Sequence, residues 1–397
     1  MKNIFPTNTF ILFVYFIFLY SNNYILSSII PIKYIINKNK CCYFEISLGE
    51  PEQKIYFKID LEIPITYTSS LLYHKLKSIY FVDNNFANQT FHNIELPFAN
   101  ISDLLKIPQN NIKLPYYNFA LLANDVLEYG ADSRISFAFH NDNLYNTSLI
   151  YLMKKQGYID KQIFSIKPVT MFNDDGLIYI GGIPNHEITN KSTLICSIIK
   201  NNNNYNKWSC EIKEVLFNNK KVELKNNFFI FNYELDYNIM SNKFSQVIRE
   251  TIKNNEKYNS ICFTSKSNGK EINSFVCLCN IMYDFPNVIL NINDYFIELK
   301  ADKLFIRVDE LFCSFIFKFY ANETFNPNQW TLGYKFLKNY LIAFDMDNKS
   351  ISLYSNTPFI YIGHIINNEY KLIIIWCIFF ILSFGIFFNC IYFKFVL

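Results

Sequence analysis

Residues 57–66 read FKIDLEIPIT: a carboxylate, Asp60, closes a run of β-type residues, and a second, Glu62, follows two positions later. Hydrolysis by carboxylates needs two such groups that share one proton and hold a water between them, the charge of one keeping its partner neutral. The other residues able to do chemistry are dispersed. His74, His92, His140, His186 and His364 are scattered, and no Ser/His/Asp or Cys/His grouping stands out. Cys277 and Cys279 are separated by one residue with no histidine close by, so neither a metal site nor a cofactor is expected.

The elements that must carry Asp60 are short. From Cys42 to Tyr354 the chain runs in apolar stretches rich in Ile, Phe, Tyr and Val, broken by Asn, Asp, Pro or Gly, which predicts a mostly β fold with many strands. Two helices are expected: Ser148 to Gln156, closed by Gly157, and Ser241 to Asn254, with Phe244, Val247, Ile248 and Ile252 at helical spacing. With 397 residues, 51% of them hydrophobic, the chain can bury a large core, and two lobes fit the length better than one. The Asn201 to Asn206 run is the candidate boundary between them. A net charge of +3 without a basic block offers no footprint for nucleic acid.

Both ends are apolar. Phe10 to Tyr20, between a basic start and Ser21-Asn-Asn, reads as a secretory signal within 1–28, with a membrane-anchoring first helix as the alternative. Leu372 to Phe393 carries no charge and is bracketed by Lys371 and Lys394; that is long enough to cross about 30 Å of hydrocarbon. A GPI-attachment signal is the competing reading, and the segment Phe359-Ile-Tyr-Ile-Gly-His-Ile lacks the small residues and polar spacer it expects. Cys41, Cys42, Cys196, Cys210, Cys262, Cys277, Cys279 and Cys313 lie between the two apolar ends. Eight cysteines beside a signal suggest disulfides in an oxidising lumen, with Cys196–Cys210 and Cys262–Cys277 as local pairs. Sequons at Asn88, Asn100, Asn146, Asn190, Asn322 and Asn348 agree with a glycosylated lumenal or extracellular body.

The stretch Tyr43 to Asp60 resembles the first strand pair of the pepsin-like aspartic proteases: Gly49, Pro51 and Gln53 keep the spacing of that family's Gly-X-Pro-X-Gln turn to the first catalytic Asp. Tyr129-Gly-Ala-Asp-Ser-Arg-Ile-Ser-Phe-Ala resembles the family's Phe-Asp-Gly-Ile-Leu-Gly-Leu-Gly segment, and Ile178-Tyr-Ile-Gly-Gly-Ile-Pro its Gly-Gly-X-Asp stretch. Trp330 to Asp345 is similar to Trp-X-Leu-Gly-Asp-X-Phe-Leu-Arg-X-Tyr-X-X-X-Phe-Asp across 16 positions without a gap, Gly333 included. The resemblance implies a bilobal fold with two pseudo-symmetric β lobes, 40–200 and 201–354; the apolar end after them reads as a stalk over 355–370, a transmembrane helix over 371–393 and a short tail over 394–397. It also implies a Cys279–Cys313 disulfide, and it places Asp60 at the first catalytic position and Asn232, after Phe228-Phe-Ile-Phe, at the second.

The family needs an Asp-Thr-Gly turn in each lobe: the glycine for close backbone approach, the threonine hydroxyl to tie the loops. Here the turns read Asp60-Leu61-Glu62 and Asn232-Tyr233-Glu234, and Tyr334 replaces an Asp of the last motif. An amide cannot take or give a proton as a carboxyl does. No glycine occurs from Glu50 through Tyr129, so the substrate-covering flap is expected to be truncated or rebuilt, with the space open or filled by Tyr116, Tyr117 and Phe119. A displaced Glu62–Glu234 pair and a slipped register using Asp236 are the other arrangements that would supply two acids. The expectation is a type I membrane homologue that binds a peptide or protein without cutting it. The alternatives are an active acid endopeptidase of the secretory pathway or cell surface, and a structural or adhesive surface protein.

Overall fold

In the computed structural model the chain forms two compact units. The residues described are 29–36, 42–91, 94–122, 133–139, 148–169, 176–199, 207–218, 220–224, 226–233, 235, 237–266, 272–321 and 328–361. The expected signal, 1–28, and anchor, 371–393, lie outside them. Among the described residues no helix is long and apolar enough to cross a membrane.

The first unit takes the described residues up to Thr189 and adds Leu341–Ser350 from far along the chain. Its strands are β1 (Ile30–Ile36), β2 (Cys42–Leu48), β3 (Gln53–Asp60), β4 (Tyr67–Ser69), β5 (Val82–Phe91), β6 (Ile94–Ile107), β7 (Ile112–Leu122), β8 (Arg134–Ser136), β9 (Ile163–Lys167) and β10 (Gly176–Ile180), with helix α1 over Leu149–Lys155. Alternation sets the faces. Along β3, Ile55, Phe57 and Ile59 are buried while Lys54 and Tyr56 are exposed, the period of a half-buried strand. Gly49 begins the β2–β3 turn with φ +75°, and a Cβ there would lie 2.7 Å from Ser78 Oγ, so the turn accepts only glycine. α1 starts where Ser148 Oγ accepts from Tyr151 N at 3.3 Å, as a serine N-cap does.

A single cut near residue 200 does not describe the division. After β11 (Ser192–Ser197), the second unit holds β12 (Ser209–Ile212), β13 (Glu214–Phe217), β14 (Lys220–Val222), β15 (Asn227–Phe231), β16 (Asn238–Ile239), β17 (Cys262–Lys266), β18 (Ile272–Leu278), β19 (Val288–Ile292), β20 (Tyr295–Leu299), β21 (Phe305–Arg307), β22 (Phe312–Phe315), β23 (Phe317–Tyr320) and β24 (Gln329–Leu332). The chain then returns: β25 (Leu341–Asp345) pairs antiparallel with β9, and Phe344 stacks on Phe164 with ring centroids 4.7 Å apart, which fixes this strand in the first core. Within the second unit the Cys196–Cys210 disulfide ties β11 to β12.

The helix expected from residue 241 spans Asn242–Asn254, capped by Ser241, with Phe244, Ile248 and Ile252 buried along one face. Phe244 packs on Trp330 at 4.9 Å, and Phe317 meets the same indole edge-on at 5.5 Å. Cys262–Cys277 and Cys279–Cys313 close two further disulfides, the former joining register partners on β17 and β18. The first residues of the expected stalk carry structure. Phe359 N donates to Ser192 Oγ at 2.9 Å, its ring stacks on Tyr340, and Ile360 and Tyr361 pair with Phe296 and Tyr295 as a further strand on β20. Residues 355–361 therefore belong with the second unit, through the Phe359 ring and amide and the backbone pairing of Ile360 and Tyr361.

Candidate functional site

Each unit carries the same four-strand arrangement around the residue under question. In the first, β3 pairs parallel with β8, so that Ile59 lies against Ile135 and Asp60 against Ser136. β8 meets β4 antiparallel at Arg134 and Tyr67, and β4 runs parallel with β7. In the second, β15 pairs parallel with β24, setting Phe231 against Leu332; β24 meets β16 antiparallel at Thr331 and Ile239, and β16 runs parallel with β23. Tyr67 stands to Asp60 as Ile239 stands to Asn232. The register thus makes Asn232 the counterpart of Asp60, Asn238 of Thr66, Gly333 of Ser136 and Thr331 of Arg134.

The hydrogen bonds repeat with the topology. Asp60 Oδ1 accepts from the amides of Glu62 and Ile63, both at 2.8 Å. Asn232 Oδ1 accepts from Leu235 N at 3.3 Å. Ser136 N donates to Thr66 Oγ1 at 3.0 Å, where Gly333 N donates to Asn238 Oδ1 at 2.8 Å. Ser136 Oγ donates to Ile63 O at 2.8 Å, and Tyr334 N reaches the corresponding Leu235 O at 2.7 Å. Gly333 has no room for a side chain: a Cβ would lie 2.0 Å from Tyr237 O and 2.6 Å from Leu235 O.

What differs is the charge. Asp60, 4% exposed, has its Oδ2 3.3 Å from Arg134 Nη1, and the guanidinium carbon lies 5.9 Å from the Tyr67 ring centroid. One carboxylate oxygen is thus occupied by two turn amides and the other by a cation from the adjacent strand. In the second unit the position equivalent to Arg134 is Thr331, and that equivalent to Asp60 is an amide. The Arg134 contact to Asp60 is a charge-assisted one, made within a single unit.

The other positions named from sequence are accounted for one by one. Leu61 is buried at 4% and Tyr233 at 2%, so apolar or aromatic bulk packs where the family's threonines stand. Glu62 is half-buried, and Glu234 and Asp236 lie outside the described residues, so neither a Glu62–Glu234 pair nor the slipped register has a geometry to report. Trp330 is fully buried and its Nε1 donates to Asn227 Oδ1 at 3.2 Å. Tyr334 opens a short helix, Tyr334–Leu337. The interval assigned to the flap holds a long hairpin, β5 and β6, closed between Phe91 and Ile94. It is rebuilt without glycine. Tyr117 and Phe119 are buried and Tyr116 is exposed; the Tyr117 hydroxyl lies 2.6 Å from Thr66 Oγ1, and burial pushes its phenol pKa up. Among the described residues no group of His, Cys, Asp or Glu could hold a metal ion.

The model of the eukaryotic aspartyl protease family matches residues 127–355, more than half the chain. The chain belongs to that family. No curated protein matches it significantly. The aspartyl protease match takes in Arg134, Asn232 and the whole of Trp330 to Asp345, while the Asp60 turn lies before it; the equivalence of Asp60 rests on the repeated strand register.

Arg134 is the residue beside Asp60 that sequence reasoning passed over. Its signal was present: a guanidinium heads Ile135-Ser-Phe-Ala where the family's segment is apolar, and a charge entering a buried strand needs a partner of opposite sign. Only the parallel pairing of β3 and β8 reveals that the partner is Asp60.

Proposed function

We propose that this aspartyl protease homologue does not cleave peptides, and that it binds a peptide or protein segment while held to a membrane by the apolar stretch 371–393. The observation that carries the reading is the Asp60–Arg134 ion pair, in a chain whose second catalytic position is Asn232. Dyad chemistry asks one acid to be neutral while its partner is charged. Here one member is an amide and the other is matched by a guanidinium, so the proton relay lacks both its donor and its free base. Family membership and the retained Asp60 favour the second reading, an active acid endopeptidase.

The full chain, incubated with a mixed peptide library between pH 3 and 7, separates the two. The binding reading predicts no cleavage and reproducible capture of defined peptides, weakened by substitutions at Glu62 and Asn232. Cleavage that disappears in Asp60→Ala would overturn it. Neither cleavage nor capture would leave the scaffold, the third reading, in its place.

A further inference from the structure

The segment Leu71–Val82 combines firm anchorage with unusual exposure. Several of its polar groups are tied to the first unit. The Tyr73 hydroxyl donates to buried Asp103, Ser78 Oγ donates to the same carboxylate at 2.8 Å, Ile79 N donates to Glu50 O at 3.0 Å, and Gln53 brackets the backbone of His74 through Oε1 and Nε2. The Tyr73 ring is buried edge-on against Phe119 at 5.2 Å. Yet Leu76 is 91% exposed, Ile79 77%, Leu71 55%, Leu72 49% and Tyr80 41%. A segment fastened through its polar atoms cannot fold its apolar side chains back into the core, and clustered exposed apolar side chains mark an interaction surface.

The charges say which surface. Leu71–Val82 contains Lys75, Lys77 and His74 and no acidic residue. Lysines interleaved with Leu, Ile and Tyr suit the boundary of a bilayer, where apolar side chains enter the acyl region and ammonium groups meet phosphates. The tether is short as well: ten residues, 362–371, separate the last described residue from the uncharged stretch at Leu372. Extended, they span no more than about 35 Å, so a chain anchored by that stretch keeps its folded units within reach of the lipid.

We infer that Leu71–Val82 docks on the lipid surface and holds the first unit against the membrane. The inference rests on the anchored reading above, and the experiment keeps the two apart. The full chain is reconstituted in vesicles of phosphatidylcholine and phosphatidylserine with Trp376, which lies within the anchor stretch, replaced by Phe, and Leu76→Trp in that background is compared with its parent, whose remaining indoles, Trp208 and Trp330, are buried. The new indole is expected to emit at shorter wavelength, and brominated lipid should quench it roughly twofold more than the parent signal. Ile79→Glu in that background should abolish the excess quenching. A Leu76→Trp spectrum typical of water, with parent-level quenching, overturns the inference. So does a blue shift that appears without lipid and grows with protein concentration, since it would seat a second copy on the patch. Alkaline washing of the same vesicles reads the anchor separately: Ile79→Glu should stay membrane-integrated while losing the quenching.

Discussion

Arg134→Leu tests the ion pair directly. Removing the guanidinium leaves Asp60, 4% exposed, with two turn amides and no counter-ion. Breaking a fully buried pair costs about 3–5 kcal/mol. Two features lower that figure here: the Arg134 side chain is 20% exposed, and the contact is a single one at 3.3 Å. The expected loss is then about 2–3 kcal/mol. Both described tryptophans, Trp208 and Trp330, belong to the second unit, so indole emission reports there and the first unit needs its own probe. Hydrogen exchange over peptides from β3 and β8 provides it, with an expected acceleration of roughly 30- to 140-fold where exchange follows opening of the unit. Asp60→Asn with Arg134→Leu should cost less than Arg134→Leu alone, because the amide oxygen can still cap the turn and no charge is left buried; the coupling expected is about 1–3 kcal/mol. Additive single losses, or exchange in Arg134→Leu within twofold of the parent, would show that the pair is not what holds Asp60, and the argument against a working base would lose its support.

Two further outcomes are expected. Gly333→Ala should fail to fold or lose more than about 3 kcal/mol, because the Cβ would strike two backbone oxygens that cannot rotate away; recovery of soluble chain with a native tryptophan spectrum checks this. In the first unit Lys106 bridges to Glu52 at 3.0 Å, and that hydrogen bond holds the Glu52 carboxyl below its ordinary value. The sign follows: the stabilisation is present above the unfolded-state value of a glutamate and is lost as pH falls through the lower folded-state value. Unfolding of Glu52→Gln should therefore differ from the parent at pH 6 and converge with it in strong acid, and a difference constant with pH would remove the pair as its source.

The β character, the two helices and the repeated turns were legible because their signals are local. Period-two runs such as Gln53–Asp60 and the capped spacing of Asn242–Asn254 need no distant partner to be read. The pairing of Cys262 with Cys277 was legible for a related reason, since a hairpin brings near neighbours together. What escaped was set by long-range registry. Nothing local says that Leu341–Asp345 crosses back to pair with Ile163–Lys167, or that Phe359 and Ile360 dock on the second unit. Arg134 escaped for the same cause: its role exists only once β8 lies beside β3.

The paired turns give the residue at this position a task apart from chemistry. In both units the side-chain oxygen at this position does a structural job, accepting the amide three residues on and closing the turn that leads into β4 or β16. An amide performs that task in the second unit, so the fold alone does not demand a carboxylate at either place. In the first unit the carboxylate also faces Arg134, a cation in a strand where the second unit has Thr331. On the reading proposed above Asp60 serves a pairing within its own unit, and the two turns differ: one carries a carboxylate beside a guanidinium, the other an amide. On that reading Asn232→Asp alone is expected to give no cleavage of the peptide library, and cleavage to need Asn232→Asp and removal of the guanidinium together, along with glycines where Glu62 and Glu234 stand.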